Sequence, residues 1–314
     1  MTTFTIVPDG PFSLAAAAGF GFGPNTGRPV YKDAGMKLAF VTDDLAHQVE
    51  VSLSQDPSGS VTGRIDSKDV DEDVEDVDTA AIERQVARIL SLDHSGSDWL
   101  AVGEKDPVLG EMQRTHAGLR PVLFHSPYEA AAWSIISARR HRAQGAVVRN
   151  RLAATFGRVF GEGPEQVLAF PTPEQLLTVR ELQGLEETRI QRLHAVANAA
   201  LAGDLEPARL LAMDPGDALA HLQKLPGIGP TYSMLILLRS TGATDLVTGF
   251  EPRMSTYLAH FYGLGAEASA EQIARIMDGW RPYRTWSSVL TRVAGDGLGL
   301  PLPAAPSFAN RSRR

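Results

Sequence analysis

The residues best placed to do chemistry lie between His221 and Arg253, in HLQKLPGIGPTYSMLILLRSTGATDLVTGFEPR. Pro226-Gly227-Ile228-Gly229 supplies the backbone freedom that a sharp reversal between two helices needs. A helix starting just after it, at Pro230, would present free backbone N–H groups at its positive dipole end, an arrangement that attracts phosphate. A carboxylate, Glu251, follows downstream of that helix. A fixed carboxylate can stabilise a developing positive charge and orient or deprotonate a water molecule. It can equally cap a helix entered at Pro252, because acids suit helix N-termini. Both readings of Glu251 stand at this point. Asp245, the nearest other carboxylate, reads as a turn residue in the preceding loop.

The elements that must position these groups are helical. Leu222 and Leu225 end one amphipathic run, and Tyr232, Leu235, Ile236, Leu238 and Arg239 follow with the spacing of a second helix that Gly242 is placed to end. A hairpin of this kind is also a plain helical corner in many proteins, so corner and phosphate site both remain open. Upstream, Phe4 to Val7, Lys37 to Val41, Gln48 to Leu53 and Ser60 to Ile65 are strand-like and punctuated by Gly and Pro, which predicts a small antiparallel sheet. From Ala80 the pattern turns helical, with Ile82, Val86, Ile89 and Leu90 forming a stripe, and the rest of the chain is expected to stay helical. Pro127 to Phe156 reads as a helix pair broken near Ala138 to His141. Further helices are expected at Pro171 to Leu177, Glu187 to Leu201, Pro207 to Leu211, Asp214 to Leu222, Pro252 to Tyr262, Ser269 to Gly279 and Pro282 to Ala294.

The expected fold class is therefore α+β, mostly α. A β-rich domain with an acidic linker would occupy 1–78, a helical region 79–300, and a basic tail carrying Arg311, Arg313 and Arg314 would occupy 301–314.

Composition narrows the function classes. With 314 residues, 43% of them hydrophobic, the chain can bury sizeable cores. Its apolar runs, such as Phe12 to Gly21, are too short to span a bilayer, and the N-terminus lacks the basic region of a signal peptide, so a cytoplasmic protein is expected. Absence of cysteine excludes disulfides, thiolate catalysis, and cysteine-ligated zinc or iron–sulfur centres. The net charge of −7 argues against indiscriminate coating of nucleic acid. Yet from Met112 to Val159 the chain carries Arg114, Arg120, Arg139, Arg140, Arg142, Arg149, Arg151 and Arg158 against Glu129, and phosphate affinity is expected to reside there. The acidic run from Asp66 to Asp78 reads as a solvated linker; it lacks the glycine and terminal glutamate of a calcium loop. Gly19, Gly21 and Gly23 read as a turn, since nothing around them has the strand-to-helix context of a nucleotide loop.

LPGIGP with its downstream acid resembles the helix-hairpin-helix DNA glycosylase superfamily, and within it the alkylation-repair branch of 3-methyladenine DNA glycosylase II. The resemblance extends in order through FTIVPDGPFSL, DPVLGEMQRTHAGLRPV, SPYEAAAWSIIS, LQGLEETRIQRLHAVANAAL and WRPYRTWSSVLTRV, nearly the whole chain. It implies a two-part helical bundle behind the sheet. It also implies a double-stranded DNA partner carrying a damaged base, which is flipped into a pocket between helical domains and released by cleavage of its N-glycosidic bond. An ungapped alignment of LVTGFEPRM puts Glu251 at the family's catalytic aspartate, a departure that extends the carboxylate by one methylene. Bifunctional relatives carry a lysine nucleophile where this chain has Thr231, so a water-using, monofunctional reaction is implied.

Other roles carry over from the resemblance in the same residue-wise way. Gly227, Gly229 and Thr231 would meet DNA at the hairpin, and Arg139, Arg140 and His141 at the loop that fills the gap left by a flipped base, with Arg139 in the wedge position; a solvated basic corner is the other reading of that loop. The base pocket would use Tyr232, Leu235, Tyr283 and Trp286; Thr231 and Leu235 stand where alkylation-repair relatives have aromatics. Each of Tyr232, Tyr283 and Trp286 reads equally well as core. Backbone carbonyls of Gln223, Leu225 and Ile228 would hold a structural Na⁺ or K⁺, and no redox cofactor is implied. A monomer is expected. The alternatives left open are a glycosylase-fold protein that binds DNA or a lesion with weak or no catalysis, and a helical protein-interaction module.

Overall fold

The computed structural model describes residues 2–21, 35–66, 78–247 and 252–300. In chain order they form β1 (Thr2–Ile6), α1 (Leu14–Gly19), β2 (Met36–Val41), β3 (Gln48–Gln55), β4 (Val61–Asp66), α2 (Thr79–Ile89), α3 (Gly96–Lys105), α4 (Pro107–Thr115), α5 (Pro127–Ser137) and α6 (Arg142–Phe156). Then come β5 (Arg158–Phe160), β6 (Val167–Ala169), α7 (Pro173–Thr178), α8 (Glu187–Leu201), α9 (Pro207–Ala212), α10 (Pro215–Leu222), α11 (Pro230–Ser240), α12 (Pro252–Tyr262), α13 (Ala270–Asp278) and α14 (Arg284–Asp296). The mostly α class with a small antiparallel sheet is as expected. No helix among the described residues is long and apolar enough to cross a membrane.

Two compact units emerge, one of Met1–Gly96 with Arg120–Ala243 and the other of Ser97–Leu119 with Thr244–Arg314. This differs from the partition into 1–78, 79–300 and 301–314. The sheet, ordered β1-β4-β3-β2 and antiparallel throughout, falls in the first unit. Its β1 packs against α2 and its β2 against β6, so residues of the helical region pack on the sheet within the same unit. Phe40, Val51 and Val61 are fully buried there, and separating the sheet would return that surface to water.

The antiparallel pair β5–β6 breaks the expectation that the chain beyond Ala80 is all helical. Its strands are too short to carry a recognisable period. Tertiary cover stabilises them: Ala39, Phe160 and Ala169 form one buried cluster, and the Gln48 side-chain amide donates to the Phe170 carbonyl at 2.6 Å. The acidic run is also corrected at its ends. Asp66 closes β4, and Asp78 caps α2 by accepting from the amides of Ala80 and Ala81 at 2.9 and 3.1 Å. The part between them, 67–77, lies outside the described residues, as do Phe22, Gly23 and the tail arginines Arg311, Arg313 and Arg314.

Most arginines of the basic stretch have partners within the fold. Arg114 pairs with Glu111, Arg142 donates to the Gly21 carbonyl, Arg151 to that of Gln183, and Arg158 lies over the Phe160 ring. Arg149 is buried beside Glu129 at 3.3 Å and donates to the Leu168 carbonyl at 2.9 Å. Glu129 also meets the His125 ring at 3.3 Å and accepts from the Val41 amide at 3.4 Å, which joins α5, α6 and β2.

Burial pushes the Glu129 carboxyl up, but the His125 ring, the Arg149 guanidinium and the Val41 amide outweigh it, and the net shift is below the ordinary carboxylate value. A carboxylate depressed on folding contributes stability that is present above its unfolded pKa and lost as pH falls through its folded pKa. Glu129→Ala should cost about 3–5 kcal/mol at neutral pH, because it strands a buried guanidinium. Urea titrations below the ordinary carboxylate range should find the variant losing less stability to acid than the wild type. Parallel pH profiles would refute this account.

The second unit has an aromatic core. Trp286 meets Trp99 edge-on at 5.3 Å and Tyr283 at 5.2 Å. Asp106 caps α4 with one oxygen, and its other accepts from Tyr262 at 2.5 Å and from the Trp280 indole at 3.0 Å. Burial and that carboxylate together push the Tyr262 hydroxyl well above its usual range.

Candidate nucleic-acid interface and base site

The hairpin forms where the glycines allow it. After α10, the amide of Leu225 donates to the Leu222 carbonyl at 3.2 Å and that of Ile228 to the Leu225 carbonyl at 3.0 Å. Gly227 turns the chain at φ 91°, in the left-handed region that favours glycine. A Cβ there would also stand 2.9 Å from Arg192 Cδ and 3.1 Å from Ile135 Cδ1, so the reversal and the close packing both require glycine. Ile228 and Leu222 anchor the loop in the core, whereas Gly227 is exposed. Gly229 is the N-cap of α11 and Pro230 opens it, as the sequence suggested.

The buried face of α11 is Ser233, Ile236, Leu237, Arg239 and Ser240, which shifts the expected stripe. Tyr232, Leu235 and Leu238 are only half-buried and Thr231 is exposed. Thr231 and Leu235 lie one turn apart, so they and Tyr232 line an accessible part of α11. Tyr283 and Trp286 stand differently: both are buried among the aromatics of the second unit, as the core reading of these side chains expects. Glu251 lies outside the described residues. Asp245 does more than turn the chain. Its carboxylate accepts from Arg284 at 2.7 and 2.9 Å and approaches Arg281 at 3.3 Å. The Thr285 amide donates to the Thr244 carbonyl at 2.8 Å, so residues 244–246 are tied to the start of α14. These partners lie far along the chain, where local sequence carries no trace of them.

Between α5 and α6, Ser137 to His141 make a tight corner closed by the Arg140 amide donating to the Ser137 carbonyl at 2.9 Å. Arg139 sits at its tip, exposed, with φ 57°. A non-glycine residue in that region costs about 1–2 kcal/mol, and persists when its surroundings over-determine it. The surroundings here are guanidinium groups. Arg140, named above for the DNA-facing loop, donates to the carbonyls of Ile136, at 2.9 Å, and Gly184. Arg189 on α8 donates to those of Ile135 and Ala138 at 2.5 and 2.8 Å. Both satisfy carbonyls that the end of α5 leaves without helical partners. His141 is exposed beside the corner at the N-cap of α6 and makes no side-chain capping bond. Arg189 and Arg192 were not singled out in the sequence; the only signal was two arginines three apart in TRIQRL on α8.

No family model matches the chain. Over 152 residues it is 24% identical to a DNA-3-methyladenine glycosylase of Bacillus subtilis, a match covering 47% of this chain and 50% of that relative. The chain thus matches about half the length of its curated relative. Its backbone is similar to a 3-methyladenine DNA glycosylase from Archaeoglobus fulgidus over 96% of this chain and 100% of the other, with a TM-score of 0.73 at 17% identity. The chain has the helix-hairpin-helix DNA glycosylase fold. The same glycosylase fold recurs in the Clostridium acetobutylicum 8-oxoguanine glycosylase/lyase, solved with double-stranded DNA containing cytosine opposite 8-oxoguanine. The TM-score there is 0.56 at 15% identity, covering 80% of this chain and 85% of that one.

Proposed function

We propose that this protein is a monofunctional DNA N-glycosylase of base excision repair that releases alkylated purines from duplex DNA. The observation that carries the reading is the Gly227 hairpin at the start of α11, set in a fold similar along nearly its whole length to a 3-methyladenine glycosylase. Amides at the hairpin would meet a backbone phosphate, the Arg139 corner would enter the gap left by the flipped base, and Thr231, Tyr232 and Leu235 would face that base.

Glu251 is assigned as the carboxylate that works on the sugar. A purine alkylated at N3 or N7 carries positive charge in the nucleotide, so the bond from C1′ to nitrogen breaks with its electron pair going to the departing neutral base. Positive charge then passes to the sugar as an oxocarbenium, which the Glu251 carboxylate stabilises. A water oxygen bonds to C1′ and gives its proton to the carboxylate or to solvent. Thr231 offers no amine, which supports hydrolysis over a Schiff-base lyase route. The carbonyls of Gln223, Leu225 and Ile228 are neutral oxygen donors of one loop and would suit Na⁺ or K⁺, whose role would be to link that backbone to a DNA phosphate. Under this reading the protein acts as a monomer.

The test is base release from duplex DNA carrying 7-methylguanine or 3-methyladenine. Free base with an intact abasic strand is expected, and borohydride should trap no protein–DNA adduct. The replacement of the family aspartate by Glu251 favours one alternative, a lesion-binding protein without catalysis. Salt-sensitive duplex binding with no release from either substrate would establish that alternative instead.

A further inference from the structure

We propose that Arg192 is a DNA-phosphate ligand beside the hairpin, contributing a charge contact additional to the hairpin amides. The inference rests on the DNA-binding reading above and deepens it. Arg192 lies on α8 with its side chain laid across Gly227: the position of a Cβ on that glycine would be 2.9 Å from Arg192 Cδ and 3.2 Å from its Nε. The side chain is half-buried and makes no hydrogen bond or ion pair with the described residues.

Its neighbours sharpen the contrast. Arg189 and Arg140 spend their donors on the carbonyls of Ile135, Ala138, Ile136 and Gly184. Burial, and then the charges of Arg140 and Arg192, depress the Arg189 guanidinium below its ordinary range, with Glu186 opposing. The charges of Arg140 and Arg192 thus stand close enough to disfavour that of Arg189, next to the exposed turn at Gly227. Such a cluster is relieved by an anion, and a polyanion that crosses the hairpin reaches Arg192 without displacing the two committed groups. Because Arg192 holds its stem on the glycine by packing, its fork is pre-organised and little rotamer freedom is lost on binding.

The experiment is fluorescence anisotropy of labelled duplex, undamaged and with a stable abasic analogue, across a salt series. Wild type is compared with Arg192→Gln, which keeps a stem on Gly227 and removes the charge, and with Arg192→Lys, which keeps the charge. The plot of log affinity against log salt should become shallower by about one unit in the Gln variant, equally on both duplexes. The Lys variant should retain the wild-type slope, and melting temperatures should agree among the three. An unchanged slope in the Gln variant, with wild type binding normally, overturns the role of Arg192 and leaves the DNA reading intact. Absence of salt-sensitive binding by wild type overturns that reading and this proposal together.

Discussion

Glu251→Gln is expected to lower base release by on the order of a hundredfold to a thousandfold, the scale seen when one pre-organised electrostatic group is removed from a transition state. The neutral amide keeps size and shape but cannot stabilise oxocarbenium charge or accept a proton from water. Glu251→Asp should behave oppositely, retaining or raising the rate. The family geometry is built around the shorter side chain, and a displacement of about 1 Å can change rates on the order of a hundredfold. Single-turnover release from methylated duplex reads both variants. Duplex affinity serves as the control, because a carboxylate acting only on the sugar contributes little to phosphate binding. Equal rates for wild type and the Gln variant would leave Glu251 as a helix cap and remove it from the chemistry.

Arg120→Met is expected to cost about 3–5 kcal/mol of folding stability, at the upper end for single substitutions. Arg120 is 0% exposed and sits where the chain re-enters the first unit. Its guanidinium donates to the carbonyls of Pro11 and Ser91 at 3.1 Å, His94 at 3.2 Å, Gly10 at 3.3 Å, and to that of Asp9. The Ser91 carbonyl, whose bond to Arg120 is buried, loses more than an average hydrogen bond is worth when it is stranded, since burial denies it water. Methionine fills much of the volume and restores none of the donors. Lysine brings a charge and three donors without the planar fork, so Arg120→Lys should recover part of the loss. Urea midpoints at constant m-value measure both, and a Met variant within about 0.5 kcal/mol of wild type would refute the account. Gly96 belongs to the same arrangement, because a Cβ there would lie 2.1 Å from the Arg120 guanidinium and 2.7 Å from the Asp9 carbonyl. The VPDGPF segment near the start is therefore a carbonyl cradle for a distant arginine.

Local chemistry made much of the fold legible. The spans Glu187–Leu201 and Pro252–Tyr262 emerge as read, and Ser269 with Gln272 forms a capping box at the start of α13. The four long strands follow the expected ones within about two residues, as apolar alternation allows. At the candidate site, the position of the hairpin and its need for glycine at Gly227 were visible, since both follow from backbone sterics at one place in the chain.

The arginines were not legible in the same way. Eight of them clustered in the sequence read as one basic surface, yet Arg120 and Arg149 are buried and Arg140 serves the end of α5. A charge in sequence has no address until the fold decides whether a carbonyl, a carboxylate or water surrounds it. By itself, then, the sequence determined the mostly helical class, the sheet, the hairpin and the order of motifs, because each depends on neighbours within a few residues. Only the tertiary structure decided that the sheet shares a unit with the central helices, that β5 and β6 pair, that Asp245 holds Arg284, and that Arg192 lies across Gly227. Those contacts join residues far apart in the chain, and their energies come from burial and shared hydrogen bonds that exist only once the chain has closed on itself.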